Sequence, residues 1–224
     1  MKILIINPNS DSGMTDTIRR AAERYADGEF TVDCKLTPGA PKFIEANEDV
    51  VKSAPGMLRL VRENEDTYDA FIIACHDDPN LDAIKEITEK PVIGIGEASM
   101  KIATMLGHSF SVISTDRHSI SSKEVLIRKY HLQDVLASIK APEDPVTDFN
   151  NIQPLLKAAR SAVEEDMAEV IVLGCAGFAG IDKQLEKELG VPVLDGVACA
   201  LIIAAGLVKY GVSTSKIRRY NPDY

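Results

Sequence analysis

The chain has 224 residues, of which 45% are hydrophobic and 26% charged, enough apolar material for a globular core. A formal net charge of -9, with no Lys/Arg cluster beyond the KIRR near the C-terminus, argues against nucleic acid or a membrane surface as partner. No segment approaches the ~20 apolar residues that span a bilayer, and four widely spaced cysteines without a CxxC pair argue against a disulfide scaffold. We therefore expect a cytoplasmic protein that acts on a small molecule.

Predicted β-strands recur along the chain as short apolar runs: KILII, TVDCKL, AFIIA, PVIGI, FSVIS, EVIVLG and VPVL. Helix-forming stretches lie between or after them: MTDTIRRAAERYA, EDVVKSAPGMLRLVRE, PNLDAIKEITE, EASMKIATML, SSKEVLIRKY, IQPLLKAARSAVEED, DKQLEKEL and VACALIIAAGLVKY. Pro55 and Gly56 predict a bend or a break in the second of these helices. Such alternation is typical of βαβ units, so we predict an α/β fold built on parallel sheets.

The chain also contains an internal repeat. IIACHDDPNLDAIKEITEKPVIGIGEASMKIATMLG aligns with IVLGCAGFAGIDKQLEKELGVPVLDGVACALIIAAG, which pairs Cys75 with Cys175 and Pro91 with Pro192 at offsets of 100 and 101 residues. A repeat of this length predicts two similar Rossmann-like halves related by pseudo-twofold symmetry, residues 1–95 with 206–224 and residues 96–205. Because ligands bind beyond the carboxyl ends of parallel strands, we expect the site in a cleft between the halves.

Cys75 and Cys175 are the candidate reactive groups. Both follow predicted strands in strand-to-helix turns, whereas Cys34, inside TVDCKL, and Cys199, inside the apolar helix VACALIIAAG, are expected to be buried structural thiols. Asp78 is suited to cap the helix after Cys75, with Pro79 at its first position, so that helix amides favour a thiolate. After Cys175, backbone N–H groups of CAGFAG could hold a substrate oxygen. Two thiols in such turns suit proton transfer at carbon.

Two other interpretations of these motifs stay open. The run CHDD could bind a metal, although zinc ligands are normally spaced apart so that they converge. A cysteine could instead form a hydrolytic pair with a histidine, the candidates being His76, His108, His118 and His131. Only His76 lies at a predicted strand end.

Several motifs occur in order along the chain: NPNS with a following MT, ACHDDPNLDAIKE with PVIGIGEAS, FSVIST, and VLGCAG with VPVLDG. Together they resemble those of the hydantoin and allantoin racemases of the aspartate/glutamate racemase superfamily. The resemblance implies a cofactor-independent isomerase without a metal, in which Cys75 and Cys175 exchange a proton at a stereogenic carbon. One cysteine would act as thiolate base and the other as thiol acid on the opposite face.

The resemblance also implies a set of substrate contacts: Asn9, Ser10, His76, Ser114, Thr115, Ala176 and Gly177, the last two and His76 through their backbone amides. Each side chain has a structural alternative. Asn-Pro-Asn-Ser is good turn chemistry, Ser10 or Asp11 could cap the first helix, and Ser114 and Thr115 could cap a later one.

The chain departs from the family pattern after the first cysteine. His76 stands where relatives carry an uncharged residue and Asn80 where they carry glycine, so His76 is either a surface residue or a pocket residue that alters substrate preference. Asp77 and Asp78 should oppose ionisation of Cys75, which predicts Cys175 as the readier thiolate.

The predicted function is thus racemisation of a 5-substituted hydantoin or of allantoin. The nearest alternatives are an aspartate/glutamate racemase, which would need basic residues such as Arg117 for its carboxylates, and a maleate isomerase; two thiols disfavour a malonate decarboxylase. A non-catalytic metabolite-binding protein is a further alternative. The resemblance and the apolar VACALIIAAGLV favour a homo-oligomer.

Overall fold

The computed structural model describes residues 1–146 and 151–223. The chain divides into two compact units, one comprising Met1–Ile95 with the chain from Ala200 onward and the other Gly96–Cys199. The second change of unit lies at residue 200, inside the last helix, whereas the expected change is at residue 206.

The first unit contains one parallel sheet. Its strands and helices are β1 (Lys2–Asn7), α1 (Ser12–Ala26), β2 (Thr31–Leu36), α2 (Asn47–Asn64), β3 (Ala70–Ile73), α3 (Leu81–Ile87) and β4 (Val92–Gly94). The strand order is β2-β1-β3-β4, with every pair parallel. Alternate residues of β1 and β3 are buried against α2 and α3, where Leu4, Ile6, Phe71 and Ile73 pack with Met57.

The second unit repeats this topology. Its elements are α4 (Ile95–Leu106), β5 (Phe110–Ile113), α5 (Ile120–Lys129), β6 (Leu136–Lys140), α6 (Gln153–Glu164), β7 (Val170–Leu173), a short 3₁₀ helix (Ala176–Phe178), α7 (Asp182–Leu189), β8 (Val193–Leu194) and α8 (Gly196–Tyr210), of which α4 and α8 cross the unit boundaries. The order β6-β5-β7-β8 is again all parallel. The predicted α/β class with two similar parallel-sheet halves is therefore confirmed.

Helix α2 is continuous, so the predicted break at Pro55 and Gly56 is wrong. Pro55 lies on the exposed side of the helix, and the carbonyl that its missing N–H leaves without a donor belongs to the exposed Val51. Solvent can satisfy that carbonyl, which reduces the cost of a helical proline. Gly56 contributes by its lack of a side chain, because a Cβ there would lie 2.5 Å from the Pro38 carbonyl oxygen.

Strand β6 was not predicted from the sequence. Its sequence LASIK is half-buried throughout and, among the described strands, pairs with β5 at the edge of the sheet, so it lacks the apolar run of an internal strand. Ser138 pairs with Ser111, and their hydroxyls share a hydrogen bond of 2.8 Å. Tertiary pairing, rather than a local pattern, therefore defines this edge strand.

Candidate functional site

The two candidate thiols occupy equivalent places in the two sheets. Cys75 lies two residues beyond β3, and Cys175 lies two residues beyond β7, and both are half-buried. The residue before each cysteine continues the sheet pairing: the Ala74 amide donates to the Ile6 carbonyl (2.9 Å) and the Gly174 amide to the Ile113 carbonyl (2.8 Å). Each thiol thus leaves its sheet at the carboxyl end of an internal strand, where α/β proteins bind ligands.

The turn after Cys75 differs from the predicted helix cap. Helix α3 begins at Leu81, and Asn80, not Asp78, occupies the position before it. Asp78 is instead buried with a left-handed φ of 47°, and its amide donates to the Cys75 carbonyl at 3.0 Å. The prediction of Asp78 as the cap with Pro79 as first helical residue is wrong because a tight turn, not a helix, follows the cysteine.

Asn80 fixes the end of this turn. Its φ is 59°, a left-handed conformation that glycine adopts freely and that asparagine tolerates better than most residues. Its side-chain amide donates to the Val50 carbonyl and to the Ser53 hydroxyl, both at 3.1 Å, which ties the turn to α2. The backbone thus explains why asparagine can stand where the family pattern has glycine.

His76 is 1% exposed. The interpretation of His76 as a surface residue is therefore wrong.

In the first unit, the NPNS segment follows β1, the strand next to β3. The side-chain oxygen of Asn9 accepts from the Asn7 amide group (2.7 Å) and from the Asp11 backbone (2.9 Å), and its nitrogen donates to Met14. Asp11 caps α1 by accepting from the Met14 amide at 2.7 Å. Among the described residues, the half-buried Ser10 hydroxyl has no hydrogen-bond partner. Asn9 therefore builds the turn, and Asp11 rather than Ser10 caps the helix.

In the second unit, the turn after Cys175 brings a donor to the sulfur. The Gly177 backbone amide donates to Cys175 Sγ at 3.3 Å, while the Phe178 amide donates to the Cys175 carbonyl at 3.2 Å. Ala176 and Gly177 are buried in the short 3₁₀ helix. An N–H aimed at sulfur stabilises the thiolate over the thiol.

Asp195 supports this turn, a role that the sequence analysis missed. It follows β8, and its carboxylate accepts from the Gly180 amide (2.8 Å) and from the Val197 amide (2.7 Å), so it links the turn to the start of α8. Burial raises the pKa of Asp195 to about 6, although both amides favour the charged form. The available signal was an acid between a strand and a helix in VPVLDG.

Asp195 predicts a pH-dependent stability. Because its folded pKa lies above the ordinary value of 3.8, the native state holds the proton more tightly, and this contribution is lost as pH rises through about 6. The unfolding free energy of the wild type minus that of Asp195→Asn should therefore fall by about 2 kcal/mol between pH 4 and pH 7. Urea unfolding at both pH values measures it, and a constant difference would contradict the assignment.

Ser114 and Thr115 follow β5, the strand next to β7. Ser114 is fully buried and shares a 2.5 Å hydrogen bond with the Ser119 hydroxyl, and the Thr115 hydroxyl donates to the Asp116 carboxylate at 3.0 Å. Asp116 in turn accepts from the Ser119 amide at the start of α5. Burial opposes ionisation of Asp116, but these hydrogen bonds outweigh it and lower its pKa. Both hydroxyls thus belong to the network that begins α5.

The other two cysteines differ in exposure, because Cys199 is buried whereas Cys34 is half-buried like the two candidate thiols. Burial raises the pKa of Cys34 to about 12, and it does the same for Cys199. We expect iodoacetamide at pH 8.5 to label Cys75 and Cys175 at least tenfold faster than Cys34 and Cys199, because the thiolate is the nucleophile. Peptide mapping by mass spectrometry measures this, and equal labelling of all four would contradict it.

The structure also places the residues that the alternative interpretations of the site would use. In the described part of the chain, no group of three or more His, Cys, Asp or Glu side chains is placed to hold a metal ion. Arg117 is exposed, and so are three of the histidines, His108, His118 and His131.

Across residues 1–146 and 151–223, no helix is long and apolar enough to cross a membrane.

The model of the Asp/Glu/hydantoin racemase family matches residues 3–204. A hydantoin racemase of Pseudomonas sp. (strain NS671) is 39% identical over 98% of this chain and 91% of its own. Two solved allantoin racemases cover 98% of this chain: that of Klebsiella pneumoniae (34% identity, TM-score 0.91, 92% of its chain) and that of Pseudomonas fluorescens (32%, 0.93, 96%). The chain therefore belongs to the Asp/Glu/hydantoin racemase family, and it is an isomerase of the racemase type.

Proposed function

We propose that this protein racemises a 5-substituted hydantoin or allantoin by a two-cysteine, two-base proton transfer, without a cofactor. The observation that carries the proposal is the equivalent placement of Cys75 and Cys175, each half-buried and two residues beyond an internal strand. The similarity to hydantoin and allantoin racemases over nearly the whole chain supports the substrate class.

The chemistry accounts for two thiols. Inversion through a planar, enolate-like intermediate requires a base on one face of the carbon and an acid on the other, and we assign these roles to Cys75 and Cys175. The roles exchange when the opposite enantiomer binds. A C–H flanked by a carbonyl and a ring nitrogen is more acidic than the α-proton of an amino-acid zwitterion, so thiols suffice as bases.

Cys175 is proposed as the thiolate of the free enzyme. The Gly177 amide at 3.3 Å favours the charged sulfur. Asp77 and Asp78, by contrast, place two acids just after Cys75, where they oppose a second negative charge.

The proposed substrate contacts fall into two kinds. The backbone amides of His76, Ala176 and Gly177 would hold carbonyl oxygens on which charge develops. The Ser10 hydroxyl and the half-buried Thr115 side chain would contact the ring, as would the Asn9 side chain, which is buried in the turn it builds. Ser114, fully buried, would act through Ser119 rather than directly.

The alternatives predict other substrates. An aspartate/glutamate racemase or a maleate isomerase would bind two carboxylates, and Arg117, the candidate cation just after Ser114 and Thr115, is exposed.

A chiral assay of the purified protein against allantoin, several 5-substituted hydantoins, aspartate and glutamate, together with chromatography of fumarate formed from maleate, decides between these. We expect loss of enantiomeric excess for allantoin or a hydantoin only. Turnover of aspartate, glutamate or maleate alone would overturn the proposal, as would binding of every ring compound without turnover.

Two further predictions belong to the same proposal. The free state of all four cysteines suits the reducing cytoplasm, where we place the reaction.

We also propose a homo-oligomer, because α8 is apolar around its circumference and its Ile202 is exposed.

A further inference from the structure

Each sheet has a buried carboxylate beside the end of its last strand, but the two halves supply it from different places. In the second unit the carboxylate belongs to Asp195, the residue directly after β8. Its two oxygens link the turn that follows Cys175 to the first turn of α8. The cysteine turn and the following helix are thereby held at a fixed separation.

The equivalent position in the first unit is Gly94, which has no side chain. The equivalence follows from strand register: Phe71 pairs with Val92 as Ile171 pairs with Val193, so Gly94 and Asp195 occupy the same step. The sequence repeat gives the same match through its two prolines.

Asp78 fills the space above Gly94. A Cβ built on Gly94 would lie 2.2 Å from Asp78 Oδ1 and 2.3 Å from its Cγ. The carboxylate of Asp78 therefore occupies the place where an Asp195-like side chain would begin. The position equivalent to Asp78 in the second unit, three residues after Cys175, is Phe178. Its apolar side chain is buried in the core of that unit, so the second unit has a carboxylate at the strand end and none at this position.

The backbone of Asp78 is consistent with a held position. Its φ of 47° lies in the left-handed region, which is unfavourable for most residues with a Cβ, and such conformations persist where the surroundings determine them. The Asp78 amide also donates to the Cys75 carbonyl. Packing of the Asp78 carboxylate against Gly94 therefore also restrains the backbone turn that carries Cys75.

We propose that Asp78 is the positioning residue for Cys75, and that it performs from the cysteine turn the task that Asp195 performs from the strand end. The duplicated halves have exchanged the residue that supplies this carboxylate while keeping its location. The catalytic part of this inference rests on the proposed function, whereas the effect on the Cys75 thiol does not.

A set of three variants tests the exchange. Asp78→Ala removes the carboxylate, Gly94→Asp places a second one where no space exists, and the double variant moves the carboxylate to the position it has in the second unit. Asp77→Ala is the matched control for the loss of a charge alone, because it removes the adjacent, less buried acid, which also opposes a Cys75 thiolate, and leaves Asp78 over Gly94. The readouts are the alkylation rates of Cys75 and Cys175, kcat and KM, and the melting temperature.

Asp78→Ala should raise the alkylation rate of Cys75 at least fivefold, since the turn loosens and a nearby negative charge is lost. Cys175 should stay within twofold as an internal reference, and kcat should fall at least tenfold with KM within threefold. Gly94→Asp alone should lower the melting temperature. The double variant should return the Cys75 rate to within twofold and kcat to within threefold of wild type.

An unchanged Cys75 rate in Asp78→Ala, or the same change in Asp77→Ala, would overturn the inference. So would a folded double variant that behaves like Asp78→Ala. If the double variant does not fold, Asp78→Asn compared with Asp77→Asn decides: a Cys75 rate at least twofold higher in Asp78→Asn than in Asp77→Asn supports the role, and equal rates refute it. A wild type without racemase activity would refute the proposed function alone, since the alkylation rates would still decide the role of Asp78.

Discussion

Replacement of either Cys75 or Cys175 by serine should lower kcat for racemisation by about 10³-fold or more, because each face of the carbon needs its own proton-transfer group. A serine hydroxyl is far less acidic than a thiol with its pKa near 8.5, so it cannot supply the base at neutral pH. Chiral chromatography of an optically pure substrate measures the loss.

Cys34→Ser is the matched control, since it removes a thiol whose pKa burial raises to about 12. It should retain activity within about threefold when the protein remains folded by circular dichroism. Full activity in either Cys75→Ser or Cys175→Ser would contradict the two-base mechanism. Loss in one variant alone would point instead to single-cysteine chemistry.

Gly56→Ala should destabilise the protein by about 2–3 kcal/mol, through overpacking against neighbouring backbone. A Cβ at this position would lie 2.5 Å from both the Pro38 carbonyl oxygen and Thr37 Cγ2, and the oxygen belongs to backbone that cannot rotate away. Urea unfolding measures the change.

Gly206→Ala provides the comparison, because Gly206 also lies in a helix but a Cβ there meets nothing within 4 Å. That variant should gain about 0.5–1 kcal/mol from helix propensity. Equal effects of the two substitutions would show that the contact at Gly56 is relieved without cost.

The fold could be predicted from the sequence where single elements carry strong local patterns. Buried strands such as β1 and β3 are continuous apolar runs, and the repeat that pairs Cys75 with Cys175 reflects the same strand order in both sheets. Strand β6 was not predicted because an edge strand needs no continuous apolar run. Helix α2 continues through Pro55 because solvent can reach the Val51 carbonyl that loses its hydrogen-bond donor. This depends on which side of the helix is exposed, and the local sequence does not give it.

The candidate site was predictable in its residue types and less so in its local geometry. Strand ends located both cysteines, because parallel strands end at the same edge of a sheet. The roles of Asp78 and Asp195 depended on register and on left-handed backbone, and neither is visible in composition or periodicity. The sequence also could not separate a turn role from a ligand contact for Asn9 and Ser114, because both tasks use the same polar side chains.

Solvent deuterium tests the proposed chemistry most directly. An optically pure 5-substituted hydantoin or allantoin, incubated with the wild-type protein in D₂O, should lose optical rotation while gaining one deuterium at its stereogenic carbon. Mass spectrometry and polarimetry on the same samples follow both events. Tight binding without deuterium uptake or loss of rotation, for every ring compound tested, would contradict racemisation by Cys75 and Cys175.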